Sequence, residues 1–272
     1  MADEQETFLS HLIELRDRLI RILIAVGVAF VPLALYAREL YSLLAAPLLA
    51  TLPAGGQMIA TDVVGVFMVP MKVALMVAFL VVLPYVLYQV WAFVAPGLYA
   101  HEKKLAIPLL IASVILFFVG MAFAYFAFFP MVFGFMSKFA PQGVAWMTDI
   151  EKYFSFVLTM FLAFGVTFEV PVIVIVLVKI GVVDVAKLRE WRPYVIVGAF
   201  VVGAVVAPPD VISQFMMAVP LWLLFELGIV LASFIVRADP KPAGETDYRP
   251  PSEEEMNREL DRAEQQSRDQ KT

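Results

Sequence analysis

The sequence predicts an all-α, polytopic membrane protein with six transmembrane helices. Three observations carry that reading: 61% of the 272 residues are apolar, only 17% are charged, and the mean hydropathy is +0.84. An average soluble domain is about 45–50% apolar and about 25% charged. Cysteine is absent, which excludes disulfides, thiol nucleophiles and cysteine metal sites, and two histidines leave little for a histidine-based one. The net charge of −5 is concentrated in MADEQE at the start and in the tail after Arg237. It therefore says little about the membrane part. With neither a basic stripe nor a Gly-x4-Gly-Lys-Ser/Thr loop, nothing points to nucleic acid or to a bound nucleotide.

Ser10 to Leu19 reads as an amphipathic helix with Ser10 as its candidate N-cap. Leu12, Leu15 and Leu19 share one face, and Glu14, Arg18 and Arg21 lie on another. Residues 1–19 are expected as a cytoplasmic segment on the membrane surface, and residues 20–236 as the transmembrane domain. The first span, 20–37, has the basic flank of a secretory signal peptide. Its apolar run is too long for one and more spans follow, so it reads as a retained anchor. The loop after it is too rich in polar residues, Pro and Gly to span, but Glu39 to Leu49 suits one surface helix ending near Pro47.

The second span, 66–94, contains Pro70 and Pro84, and Lys72 near its start is expected to snorkel to the interface. Tyr85, Tyr88, Trp91 and Phe93 read as interfacial anchors. A turn through Pro96-Gly97 leads to the third span, 105–129, and a loop from Pro130 to Lys152 leads to the fourth, 153–178. The fifth, 193–207, lies between Pro193 and Pro208-Pro209-Asp210. About 15 residues give roughly 22 Å of helix, short of a hydrocarbon core of about 30 Å. That span must thin the bilayer locally or pack sheltered against its neighbours. The sixth, 211–236, carries Pro220 and Glu226. Residues 237–272 are expected as a charged, cytoplasmic tail with too few apolar residues to pack, although Ser252 and Glu255 form a capping-box pattern.

Six spans put both termini on one side. Arg16, Arg18, Arg21, Lys103, Lys104, Lys179, Lys187, Arg189 and Arg192 flank that side, whereas the opposite loops hold only Arg38, Lys138 and Lys152. Both termini are therefore expected in the cytoplasm.

Within the fourth span lies Glu169, an acid at a depth where translocon scales charge about 2.5–3.5 kcal/mol. Pro171, two residues on, removes a backbone donor and is expected to bend the helix there. Two readings stand side by side: a carboxyl bonded to a neighbouring helix, or a polar face used by a substrate or partner. The topology also brings Glu14 and Glu102 to the cytoplasmic face. Two carboxylates there suit two guanidinium groups, each through paired charge-assisted hydrogen bonds. The alternatives are local: an i,i+4 pair to Arg18 for Glu14, and Lys103, Lys104 or a helix cap for Glu102. No enzyme constellation emerges, neither His-Glu-x-x-His nor Gly-x-Ser-x-Gly, and His11 and His101 have no acid or thiol arranged around them.

Five motifs occur in order: Ser10-His11-Leu12-x-Glu14-Leu15-Arg16-x-Arg18-Leu19; Ala60-Thr61-Asp62-Val63; Phe93-Val94-Ala95-Pro96-Gly97-Leu98-Tyr99-x-His101-Glu102-Lys103; Phe164-Gly165-x-x-Phe168-Glu169-x-Pro171; and Pro208-Pro209-Asp210. Together they resemble the TatC subunit of the twin-arginine protein translocase, over about Ser10 to Val236. The resemblance implies a receptor in the cytoplasmic (inner) membrane for folded precursors with twin-arginine signal peptides. Export would be driven by the proton motive force, with no cofactor and no enzymatic step. It implies a concave, glove-like bundle. Glu14 and Glu102 would bind the arginine pair, in a site shaped by Arg16, Phe93, Leu98 and Tyr99. Glu169, beside Pro171, would receive single-span TatA-type or TatB-type helices in a homo- and hetero-oligomeric complex. Pro47, Asp62 and Asp210 would shape the extracytoplasmic cap and the short spans. Ala100 departs from the family, many of whose members have a basic residue there. On the residues alone, the competing reading is a proton- or cation-coupled secondary transporter using Glu169.

Overall fold

The computed structural model describes residues 2–49, 57–94, 106–139, 147–206 and 210–238. They are almost entirely helical, as lipid demands of a backbone that must satisfy its own amides. The chain divides after Ser233, and the packing described below is that of Met1–Ser233.

The first helix corrects an expectation. No break separates a surface segment from a span: α1 is one 34-residue helix, Ala2–Leu35. No proline interrupts residues 10–31 and Gly27 is their only glycine, so helical periodicity continues straight through the polar residues. Ser10 lies inside the helix and is not its cap. The surface helix near Pro47 is present as α2, Ala37–Leu49, and the second span as α3, Gly65–Val94.

The third span also runs further than expected. After α4, Ala106–Phe123, come a π turn, Ala124–Phe128, and α5, Phe129–Phe139, where a loop was expected from Pro130. The Phe129 amide donates to the Ala124 carbonyl, five residues back. Pro130 follows directly, so its missing donor falls where the hydrogen-bond ladder changes register and the helix continues.

Two three-residue strands, β1 (Gln57–Ile59) and β2 (Met147–Asp149), pair in parallel, with Ile59 opposite Asp149. Runs this short carry no readable alternation. Asp149 then caps α6, Ile150–Phe168, accepting from the Glu151 and Lys152 amides at 2.9 and 3.0 Å. This cap starts the helix three residues before the expected edge of the span. Beyond Glu169 runs α7, Val170–Lys179, closed at Gly181, whose φ of 74° suits a glycine after a helix end. The loop that follows contains α8, Val185–Glu190. Then come α9, Arg192–Val206, and α10, Val211–Ala238.

The core sits where α3, α4, the π turn, α5 and α6 meet. Phe128, Phe129, Phe154 and Phe164 are fully buried there beside Val69 and Val73 of α3. The Phe128 and Phe164 rings stand 4.9 Å apart, within aromatic packing range. In contrast, Leu23, Ile24, Val28 and Val31 of α1 are exposed, as are Val197, Val201 and Val205 along α9. Apolar stripes of this kind belong against lipid or other helices. Among the described residues, five stretches are long and apolar enough to cross a membrane: Ser10–Leu35, Gly65–Phe93, Ile107–Met136, Ile150–Lys179 and Val211–Ile235. Arg192–Val206, where a short fifth span was expected, is a shorter apolar helix.

Lys72, expected to snorkel to the interface, has protein partners. Its ammonium pairs with Glu151 at 2.8 Å and reaches the Ser155 hydroxyl at 3.3 Å, tying α3 to the first turn of α6.

Candidate functional site

Arg18 organises the end of the bundle where α1 meets the last turn of α3. Its Nε and Nη2 both donate to Glu14 Oε1, at 2.9 and 2.6 Å. Nη1 donates to Gln89 Oε1 and Nη2 also donates to the Ala92 carbonyl, each at 3.1 Å. The planar guanidinium fork allows this spread of contacts from one side chain. The i,i+4 pair open from sequence therefore exists, and it also braces α1 against the last turn of α3. Glu14 Oε2 takes neither Arg18 bond and stands 4.0 Å from His11 Nδ1. The His11 ring packs on Phe93 at 4.5 Å, so Glu14, Arg18, His11 and Phe93 form one cluster.

Beside that cluster is an open groove of about 380 Å³ lined by Ser10, Ile13, Glu14, Asp17, Arg18 and Arg21. Arg16, expected to shape the site, is exposed and turned to Asp17, with Nη2 and Nε donating to Oδ1 at 2.8 and 3.0 Å. Asp17 and Gln89 are contributors not singled out from the sequence. Asp17 stands three residues after Glu14, hence on the same helical face, and Gln89 is a polar residue inside an apolar run. Glu102, Leu98 and Tyr99 lie outside the described residues, as does Ala100.

Glu169 stands at a helix break. Its amide donates to the Val166 carbonyl at 3.0 Å, and its own carbonyl accepts from Val172 and Ile173, each at 3.0 Å. Pro171 occupies the first turn of α7 and is buried, where its missing donor leaves the ladder intact. With 19 residues before it in α6 and 10 after it in α7, Glu169 is about 28 Å from one end and about 15 Å from the other. Its side chain is buried, as is Ser113 of α4, whose hydroxyl accepts from Trp91 Nε1 at 3.1 Å. Oε1 is buried with no partner among the described residues. A buried carboxyl oxygen without a partner at a helix break is what the structure shows of Glu169.

On the opposite side, Asp210 caps α10 through the Ser213 amide at 2.8 Å, and Gln214 Nε2 donates to the Phe200 carbonyl at 3.0 Å. These bonds hold the α9–α10 turn. Arg192 Nη2 donates to Glu226 Oε2 at 2.7 Å near the other end of α9. Asp62 is exposed in the turn before α3. Pro47 falls in α2, with its side chain outside the described residues. Asp149 is bonded by the Thr61 hydroxyl and by the Lys152, Thr61 and Glu151 amides, which together hold its carboxyl down to about 2. Bonds made to the ionised form have that effect. Thr61, in the second motif, thus ties the start of α3 to that of α6.

Comparison with known proteins fits this arrangement. Residues 10–220 match the family model described as Sec-independent protein translocase protein (TatC). The Sec-independent protein translocase protein TatC of Azotobacter chroococcum mcd 1 is 51% identical over 249 residues, covering 92% of this chain and 98% of the relative. Its counterpart in Escherichia coli K12 is 50% identical over 235 residues, covering 86% and 91%. A crystal structure of the twin-arginine translocase receptor TatC superposes with a TM-score of 0.74 at 39% identity, over 84% of this chain and 100% of that one. The family decides against the secondary-transporter reading of Glu169, and the protein is a multi-pass membrane component of protein transport, not an enzyme. With the motifs, the helical order and these relatives in agreement, the chain belongs to the TatC family of Sec-independent protein translocase proteins.

Proposed function

We propose that the Glu14 groove receives the arginine pair of twin-arginine signal peptides on folded precursors. The observation that carries this is the division of labour at Glu14. Arg18 holds Oε1 with two bonds, Oε2 takes neither of them, and Glu14 lines the open groove. A carboxylate fixed this way is preorganised for an incoming guanidinium. Glu102 is the second acid, and Phe93, Leu98 and Tyr99 belong to the same recognition site. Arg16, paired with the groove residue Asp17, is read as part of the rim of the site.

Glu169 is the docking point for TatA-type and TatB-type transmembrane helices, which the receptor recruits for transport driven by the proton motive force. The support is a buried carboxyl oxygen without a partner at a helix break. The distribution of Lys and Arg supports six spans in the cytoplasmic membrane with both termini in the cytoplasm. The 15-residue α9 serves as the short fifth span.

The test is precursor binding to membranes carrying Glu14→Ala or Glu102→Ala. Loss of binding in each, with normal protein levels, supports the assignment, and binding that survives both changes sinks it. Photocrosslinking from position 102 to precursors with Arg-Arg or Lys-Lys signals adds the substrate class: contact with Arg-Arg only is the expected result.

A further inference from the structure

We propose that Asp17 is a further recognition residue of the Glu14 groove, receiving a basic side chain of the precursor two residues away from the arginine held at Glu14. This rests on the reading of the groove as the arginine-binding site. Asp17 lines that groove together with Glu14. Arg16 grips its carboxylate at one oxygen, Nη2 and Nε donating to Oδ1 at 2.8 and 3.0 Å, and Oδ2 takes neither bond. The arrangement repeats that of Glu14, whose Oε1 carries both Arg18 bonds. Each acid is turned by an arginine that occupies one of its oxygens.

Charge gives a reason for a second acid on this helix. The lining residues Ser10, Ile13, Glu14, Asp17, Arg18 and Arg21 recur at three- and four-residue steps along the unbroken α1, so they form one stripe. Two are acids and two are arginines. Without Asp17 the stripe would set Arg18 and Arg21 against Glu14 alone, a positive surface that repels the cationic pair it is to receive. Arg21 stands four residues after Asp17, the spacing of a local ion pair. Among the described residues, however, the ion pair of Asp17 is with Arg16, and none joins it to Arg21.

Spacing decides which precursor residue Asp17 meets. Glu14 and Asp17 are three residues apart on one helix face, which puts about 5–6 Å between their β-carbons. In an extended peptide, adjacent side chains point to opposite sides, so the second arginine of the pair leaves this face. Residues two apart point the same way, about 6.5–7 Å from each other. The mismatch of about 1 Å is small beside the length of a lysine or arginine stem. A peptide lying extended beside α1 with one arginine at Glu14 therefore brings the residue two positions away to Asp17.

The experiment measures precursor affinity for membranes carrying the full chain. Four precursors place a single lysine at one of the two positions on either side of the arginine pair, and a fifth has alanine at all four. One position is expected to raise affinity about threefold over the alanine precursor, the worth of an exposed ion pair. The increment should shrink as salt is added. Asp17→Asn should bring that ratio to one, Asp17→Glu should keep most of it, and Asp17→Lys should turn it into a loss. With its side chain 46% exposed, Asp17 can be replaced without disturbing the packed bundle. An increment that survives Asp17→Asn overturns the proposal, as does the lack of one at every position. An equal increment at all four positions also overturns it, since that is a long-range field and not a contact. If instead the alanine precursor binds undiminished to both Glu14→Ala and Glu102→Ala, the underlying reading of the groove fails.

Discussion

Gly120 of α4 faces the backbone of Phe164 so closely that a β-carbon there would stand 2.4 Å from the Phe164 carbonyl oxygen. Nearby, a β-carbon on Gly165 would meet the Phe117 ring at 2.5 Å. Gly120 lets the α4 and α6 backbones approach directly, and Gly165 leaves room on α6 for the Phe117 ring of α4, small residues being the usual device of membrane helix pairs. Gly120→Ala must push the helices apart, because a backbone carbonyl cannot swing away. It should lower stability by about 1–3 kcal/mol, read as a fall in melting temperature in detergent. Gly27, with nothing within 4 Å, is the control: Gly27→Ala should be neutral or stabilising by up to about 1 kcal/mol.

Replacing Arg18 by Lys keeps the charge and loses the fork. A single ammonium cannot hold Glu14 and reach both Gln89 and the Ala92 carbonyl in the same way. Precursor affinity should fall about tenfold, the worth of one charge-assisted hydrogen bond, while the amount of inserted protein stays normal. Titration of precursor onto membranes reads this directly, and unchanged affinity would remove Arg18 from the site.

Asp149 gives a pH dependence with a definite sign. Its folded-state value of about 2 lies below the ordinary value of about 3.9, so the ionised form is favoured by folding. That contribution is complete above about pH 4 and is lost as pH falls toward 2. The pairing of β1 with β2 and the cap of α6 should loosen over that window, followed by the amide signals of Thr61 and Glu151. Thr61→Val removes the largest cause of the depression and should raise the midpoint. A midpoint that stays in place would refute the assignment.

Arg192 and Glu226 are an unequal pair, since side-chain exposure is 46% for Arg192 and 23% for Glu226. Removing Arg192 strands the better-buried charge, whereas Glu226→Gln leaves a neutral group facing a guanidinium that can turn to solvent. Arg192→Gln should therefore lower thermal stability more than Glu226→Gln, by about 1 kcal/mol. Equal losses in the two variants would contradict that asymmetry.

Lys72 and Glu151 are both more than a third exposed, at 41% and 36%, and water screens such pairs. A double-mutant cycle with Lys72→Met and Glu151→Gln should return a coupling of about 0.2–1 kcal/mol. A coupling several times larger would mean that lipid, not water, surrounds them.

The spans were legible because hydropathy in long runs is a strong signal. Expected limits of 66–94, 193–207 and 211–236 became Gly65–Val94, Arg192–Val206 and Val211–Ala238. Where the reading failed, a polarity boundary had been taken for a helix boundary. Leu19 ends an amphipathic pattern but breaks no hydrogen bond, and Pro130 looks like a stop only until the π turn before it is known. At the site, Arg18 as partner of Glu14 was readable from i,i+4 spacing. Gln89 and Ala92 were not, because they stand 71 and 74 residues away and only packing of α1 on α3 brings them in.

The unbroken run of α1 has a mechanical consequence. At 34 residues it is a rod about 51 Å long, well beyond the roughly 30 Å thickness of the hydrocarbon layer. Arg18, fastened to the end of α3, acts as its fulcrum. A rod resists bending, so a sideways load applied near Ser10 emerges at Val31, just before Pro32, as tilt, without any segment having to unfold.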